Sequence, residues 1–186
     1  MTATCTAKAN SVSTPEAAAA PTTPAARLPA RWWALIALVI VLDQLSKYAI
    51  ARHLVPYEAI RLTPFFQLVH VYNTGAAFSM LAGHPVFARI FFIALACGVS
   101  LWLLHMLRQH AHERLLPAAL SLIIGGAIGN VIDRFSRSAV LDFLYFHYQH
   151  HGFPAFNLAD SAITLGVILM FWSQFFAAPP TPPATT

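Results

Sequence analysis

Apolar residues along this chain gather into four long runs separated by polar or mixed stretches. The first follows Arg31 and extends from Trp32 to about Leu54, interrupted by Asp43 and Lys47. The second runs from Pro85 to Leu107, with Pro85 suited to a helix start. The third runs from Leu115 to about Arg134, with Pro117 in its first turn, and the fourth from Asp160 to Ala178. Each supplies roughly 18–23 residues, enough at ~1.5 Å per residue to cross a hydrocarbon core of about 30 Å. Arg27 and Arg31 ahead of Trp32–Leu42 imitate a secretory signal. No small-residue cleavage site follows, however, and apolar character continues to Ile50, so a retained span is expected. Four spans place both chain ends on one side of the membrane.

The connections differ in kind. Arg108–Arg114 reads as a tight polar turn between the second and third spans. Residues 55–80 contain strand-like pieces, notably Phe65–Tyr72, where β-branched and aromatic residues suggest a small sheet at the membrane surface. Residues 135–159 form a second long connection, rich in aromatics and His. With an even helix count, both long connections fall on one face and the short turn and tails on the other. Residues 1–30, built of Ala, Thr, Pro, Ser and a few cations, and residues 179–186 read as disordered tails.

Composition agrees with this pattern and narrows it. Of 186 residues, 58% are apolar and 10% charged, with mean hydropathy +0.61. Soluble domains carry about a quarter charged residues, so an ordinary soluble enzyme, a coiled coil and a disordered chain are excluded. The net charge of +4 comes from 11 Lys/Arg against 7 Asp/Glu, too sparse for a nucleic-acid footprint. Cys5 in the tail and Cys97 in a span have no evident reason to pair. Lys and Arg divide five to the tail side and six to the other, so charge counting leaves the orientation open.

The aspartates carry the chemistry. Asp43, Asp133, Asp142 and Asp160 all lie in or beside apolar segments, and ionisable groups at membrane depth mark function by default. Asp43 falls about 18 Å past Arg31 along a helix, close to the long-connection side, and Lys47 at i+4 can pair with it. In the third span Ser121, Gly125, Gly129 and Asp133 form one i+4 row and Gly126, Asn130 and Arg134 the next. The small residues suit close helix packing. Asn130, Asp133 and Arg134 imply a shared polar network. Asp142 interrupts Val140–Phe143, and Asp160 opens the fourth span three residues after Asn157, an arrangement that also suits helix capping.

Two carboxylates that converge cannot both ionise, so they share one proton. The ionised member then takes a proton from water while the protonated member polarises a carbonyl, as in aspartic proteases. A helix N-terminus favours Asp160 as the ionised member and leaves the proton on Asp142. Replacement of Asn157 is then expected to shift the acidic limb of the pH–rate profile. Other chemistries lack their residues: there is no HExxH or GxSxG motif, and His147, His150 and His151 have only loose metal-like spacing.

Taken in order, Asp43–Lys47 (DQLSK), Asn73–Ser79 (NTGAAFS), Gly125–Arg134, Val140–Phe143 (VLDF) and Phe156–Ile163 (FNLADSAI) resemble the bacterial lipoprotein signal peptidases, the type II signal peptidases, over residues 32–178. The resemblance implies a mainly α membrane protein with four transmembrane helices and a small extracytoplasmic β-cradle. It also implies inner-membrane location with cytoplasmic termini and the active site at the extracytoplasmic face. The activity implied is aspartic endopeptidase cleavage of diacylglyceryl-modified prolipoproteins before the lipidated Cys. The catalytic dyad maps onto Asp142 and Asp160, with supporting residues at Asp43, Lys47, Asn73, Gly75, Asn130, Asp133, Arg134 and Asn157. Partners are the prolipoprotein and membrane lipids, with no nucleic acid, metal or cofactor; a monomer is expected. The rivals are a small proton-coupled transporter using Asp43, Asp133 and Asp160 as relay groups, and a non-catalytic scaffold whose aspartates pair with Lys47, Arg134 and Arg137.

Overall fold

The apolar runs form helices. In a computed structural model, which describes residues 28–75, 84–149 and 151–176, these are α1 (Ala30–His53), α2 (Pro85–Gln109), α3 (Leu115–Ser136) and α4 (Leu158–Phe176). Most of the terminal tails, residues 76–79 of the NTGAAFS motif, Cys5 and His150 lie outside the described residues. All four helices are long and apolar enough to cross a membrane. Large side chains such as Leu38, Leu101, Trp102, Phe171 and Trp172 point outward, as expected where the solvent is lipid.

α3 is the central element and packs against the other three helices. Its two small-residue rows face two different partners. A Cβ on Gly125 would stand 2.8 Å from Val39 Cβ of α1, and one on Gly126 would collide with the Ala159 carbonyl oxygen of α4. Glycine at these positions lets the backbones touch. Buried Trp32, Ile36, Leu103, Leu107, Leu120 and Ile124 fill the end near the short turn. There the Trp32 indole donates to Ala111 O at 3.0 Å and pins that turn to α1.

At the other end the two long connections meet in one antiparallel sheet, ordered β1 (Ala59–Thr63), β2 (Phe66–Asn73), β3 (Val140–Tyr148) and β4 (His151–Gly152). β2 falls on the strand-like stretch of the sequence. β3 is less legible because Val140–Phe143 are all buried, so the segment shows no polar alternation. β2 and β3 pair with a bulge between Leu68 and Val71, immediately before the Val71–Asp142 pair; such bulges re-aim side chains. On the free side of β3, Phe156 bridges to Leu144 through two backbone hydrogen bonds. This bridge carries Asn157 and the start of α4 to the strand that bears Asp142.

Candidate active site

The polar residues of the spans converge at the sheet end of the bundle. Asp43 and Lys47 occupy one face of α1, and the Lys47 ammonium donates to Asp43 Oδ2 at 2.8 Å. It also reaches Asp133 Oδ2 at 2.8 Å and Asn130 Oδ1 at 3.1 Å on α3. Asp43, Lys47 and Asp133 are all fully buried. An ammonium has three donors, and all three are used here. Each buried carboxylate is in turn held from elsewhere. Asp43 Oδ1 accepts from the Ala159 N–H in the first turn of α4 at 2.9 Å, so α1 caps α4. Asp133 accepts from Arg137 at 2.8 Å and from the Leu141 N–H at 3.2 Å, which anchors the start of β3.

This scaffold fixes the residues around Asp142 and Asp160. Asn157 and Asp160 form a reciprocal cap: Asn157 Oδ1 accepts from the Asp160 N–H at 2.9 Å, and Asp160 Oδ2 accepts from the Asn157 N–H at 3.4 Å. The side-chain amide of Asn157 donates at the same time to Asp142 Oδ1 at 2.6 Å and to Asn130 Oδ1 at 3.3 Å. Asn130 donates to Asp160 Oδ1 at 2.7 Å. Asn73 donates to the other oxygen of Asp142 at 3.0 Å. Its own carbonyl accepts from the Gly75 N–H at 2.8 Å, closing an Asx turn that orients the amide. Gly75 has φ +95°, and a Cβ there would strike the Phe92 ring, so this turn calls for glycine.

The two aspartates therefore sit in one network, each held by asparagine amides, with Asn157 touching both. Burial raises the Asp142 carboxyl from 3.8 to about 6 against the opposing hydrogen bond from Asn73; the nearby Asp160 charge pushes it the same way. Asp142 is 2% exposed, whereas Asp160 is half-buried. Asp160 opens onto a groove of about 550 Å³ along α4, lined by Phe153, Phe156, Ser161, Thr164, Leu165 and Ile168. A second groove of about 230 Å³ lies across α4 from it, between α2 and α3, with Asn130 and Arg134 at its polar end and Phe92, Ala127 and Ile163 along its wall.

Every site residue named from sequence lies at this end. The Arg134 guanidinium donates to Asn130 O at 3.1 Å and stacks over the Phe92 ring at 5.2 Å, and among the described residues it makes no ion pair. Sequence reasoning gave Gln44 no role, although its amide reaches Asp43, the Gly129 carbonyl and Asp133. The signal was present, since Gln44 stands beside Asp43 immediately after the long apolar run Trp32–Leu42. Arg137, expected from sequence as an ion-pair partner for the aspartates, pairs with Asp133. His147 contacts Gln67 at 2.9 Å, and no group among the described residues could hold a metal ion.

Comparison with known proteins adds an independent line. Residues 35–176 match the family model described as signal peptidase (SPase) II. The chain is 56% identical to the lipoprotein signal peptidase of Azoarcus sp. (strain BH72), over 82% of this chain and 87% of that protein. It is 46% identical to the lipoprotein signal peptidase of Burkholderia cenocepacia (strain J2315), over 81% and 91% respectively. A solved bacterial membrane enzyme obtained by the in meso method superposes with a TM-score of 0.71 at 28% identity, covering 84% of this chain and 94% of its own.

Proposed function

Because the chain belongs to the signal peptidase II family, we propose that it is an intramembrane aspartic endopeptidase that cleaves prolipoprotein signal peptides before a diacylglyceryl-modified Cys. Asp142 and Asp160 are its catalytic pair. The reading rests above all on Asn157, whose side-chain amide donates to the Asp142 carboxylate at 2.6 Å while its oxygen accepts from the Asp160 backbone N–H at 2.9 Å, so that one residue positions both aspartates.

In this mechanism one proton resides on Asp142, whose burial favours the neutral form. Asp160, at the N-terminus of α4, is ionised. Asp160 removes a proton from water as the oxygen attacks the scissile carbonyl, and Asp142 donates a hydrogen bond to the developing oxyanion. Collapse of the tetrahedral intermediate breaks the C–N bond. The proton held by Asp160 passes to the leaving amine, and the dyad returns to its starting charge. Asn73 and Asn130 each hold one oxygen of the pair, on Asp142 and Asp160 respectively, and so fix the carboxyls in place.

The site faces the extracytoplasmic side, where a lipidated Cys presents its peptide bond at the interface. The signal helix and acyl chains stay in lipid and follow the apolar grooves on either side of α4. Purified protein in detergent is expected to release the signal peptide from a diacylglyceryl-modified precursor and to process the unlipidated precursor poorly. Equal turnover of both precursors would remove the lipid from recognition, and no turnover of either would refute the proposal.

A further inference from the structure

A separate cavity opens at the same membrane face, where the N-terminus of α2 meets the turn from α3 into β3. It encloses about 550 Å³ and is lined by Arg89, Arg137, Ser138, Thr74, Tyr72 and Val86, among others. It shares no lining residue with the grooves beside Asp160. Arg89 stands one turn into α2, and its guanidinium donates to the Ser138 hydroxyl at 2.7 Å. Ser138 has φ 63°, a backbone conformation unusual for a residue with a Cβ, and it follows Arg137, the C-cap of α3.

The charge in this cavity is unbalanced. Of its two guanidiniums, Arg137 shares Asp133 with Lys47, and Arg89 makes no ion pair among the described residues. None of the carboxylates of this end pairs with Arg89 among the described residues: Asp43 is held by Lys47, Asp133 by Lys47 and Arg137, Asp142 and Asp160 by asparagine amides, and Glu58 by the Val55 N–H. In sequence, the segment that links Gly75 to Pro85 contains no Asp or Glu. Two guanidinium forks with hydroxyls beside them match the oxygens of a phosphate. The positive end of α2 adds to the same field. At the ends of membrane-spanning helices, the phosphates at hand are those of lipid headgroups.

We propose that this cavity binds a phosphate-bearing anion, supplied by an acidic phospholipid of the surrounding leaflet, with Arg89 as its principal ligand and Arg137, Ser138 and Thr74 beside it. The site lies outside the peptidase grooves and does not depend on the catalytic assignment.

The test is the melting temperature of the full chain in an uncharged detergent. It is titrated with dioctanoyl phosphatidylglycerol, inorganic phosphate or dioctanoylglycerol. Phosphatidylglycerol is expected to stabilise the protein saturably, with apparent affinity at least tenfold weaker in Arg89→Gln and intermediate in Arg89→Lys, which keeps the charge and loses the fork. Inorganic phosphate acting with the same Arg89 dependence and equal affinity would uphold the phosphate site and assign its source to free phosphate. An equal response to dioctanoylglycerol, or a phosphatidylglycerol response unchanged by Arg89→Gln, would overturn the proposal. Should Arg89→Gln fail to fold, Val86→Trp at an exposed position fills the cavity instead. Stabilisation must then vanish, and its persistence would overturn the site equally.

Discussion

Asn157→Ser separates two duties that one side chain performs. The shorter hydroxyl still caps the Asp160 N–H, which Asn157 Oδ1 now accepts at 2.9 Å, but it cannot span to Asp142 and forfeits the 2.6 Å bond. A hydrogen bond to a charged group is worth about 1.5–3 kcal/mol. Because this one favours ionised Asp142, its loss raises the Asp142 pKa further, by about one to two units at ~1.4 kcal/mol each. Activity in the proposed mechanism ends when Asp142 loses its proton. The basic limb of kcat/KM therefore moves to higher pH by that amount in Asn157→Ser. Asn157→Ala moves the basic limb similarly, costs about 1 kcal/mol more through the lost cap, and shifts the acidic limb as well, because the Asp160 N–H then goes without its acceptor. The assay is cleavage of a lipidated precursor across pH, paired with melting curves in detergent. A basic limb that stays in place or moves down in Asn157→Ser would refute the assignment of the proton to Asp142.

Three further outcomes follow from the packing and charges. Gly126→Ala drives a Cβ into the Ala159 carbonyl oxygen and should cost about 1–3 kcal/mol; Gly98→Ala, with open space around it, should be neutral or gain up to about 1 kcal/mol in helix propensity, and Tm in detergent compares the two. Lys47→Met leaves buried Asp43 and Asp133 without their shared cation and should lower stability by about 3–5 kcal/mol, measured by denaturant titration, with loss below 1 kcal/mol contradicting a single tight ion cluster. Asp142 has its pKa raised from 3.8 to about 6, so its contribution to stability is present below pH 3.8 and lost as pH rises through 6. The wild type should thus fall relative to Asp142→Asn by up to about 3 kcal/mol over that window, and parallel curves would refute the shift.

The layout of the chain was legible because the bilayer imposes it. Four apolar runs long enough to span could only be helices, and the glycine rows of α3 announced close neighbours before the structure showed which ones: Gly125 meets α1 and Gly126 meets α4. The Asp43–Lys47 pair followed from i+4 spacing alone. The long-range links did not follow. Nothing in Val140–Phe143 signals a strand, since burial on both faces removes the alternation that marks one. The reach of Asp43 across to the Ala159 N–H and the bridge from Phe156 to Leu144 join residues far apart in the chain, and neither leaves a trace in local sequence. Asn157 was legible as a cap; its bond to Asp142 depended on the strand that was missed.

The central claim is that Asp142 and Asp160 together perform the cleavage. The most direct measurement is signal-peptide release from a diacylglyceryl-modified precursor by purified Asp142→Asn and Asp160→Asn, with helical circular dichroism and Tm recorded on the same samples. Each variant should stay folded and lose cleavage by at least the 10²–10⁴-fold that a positioned acid or base supplies. A folded variant of either kind that retains wild-type turnover would contradict the account.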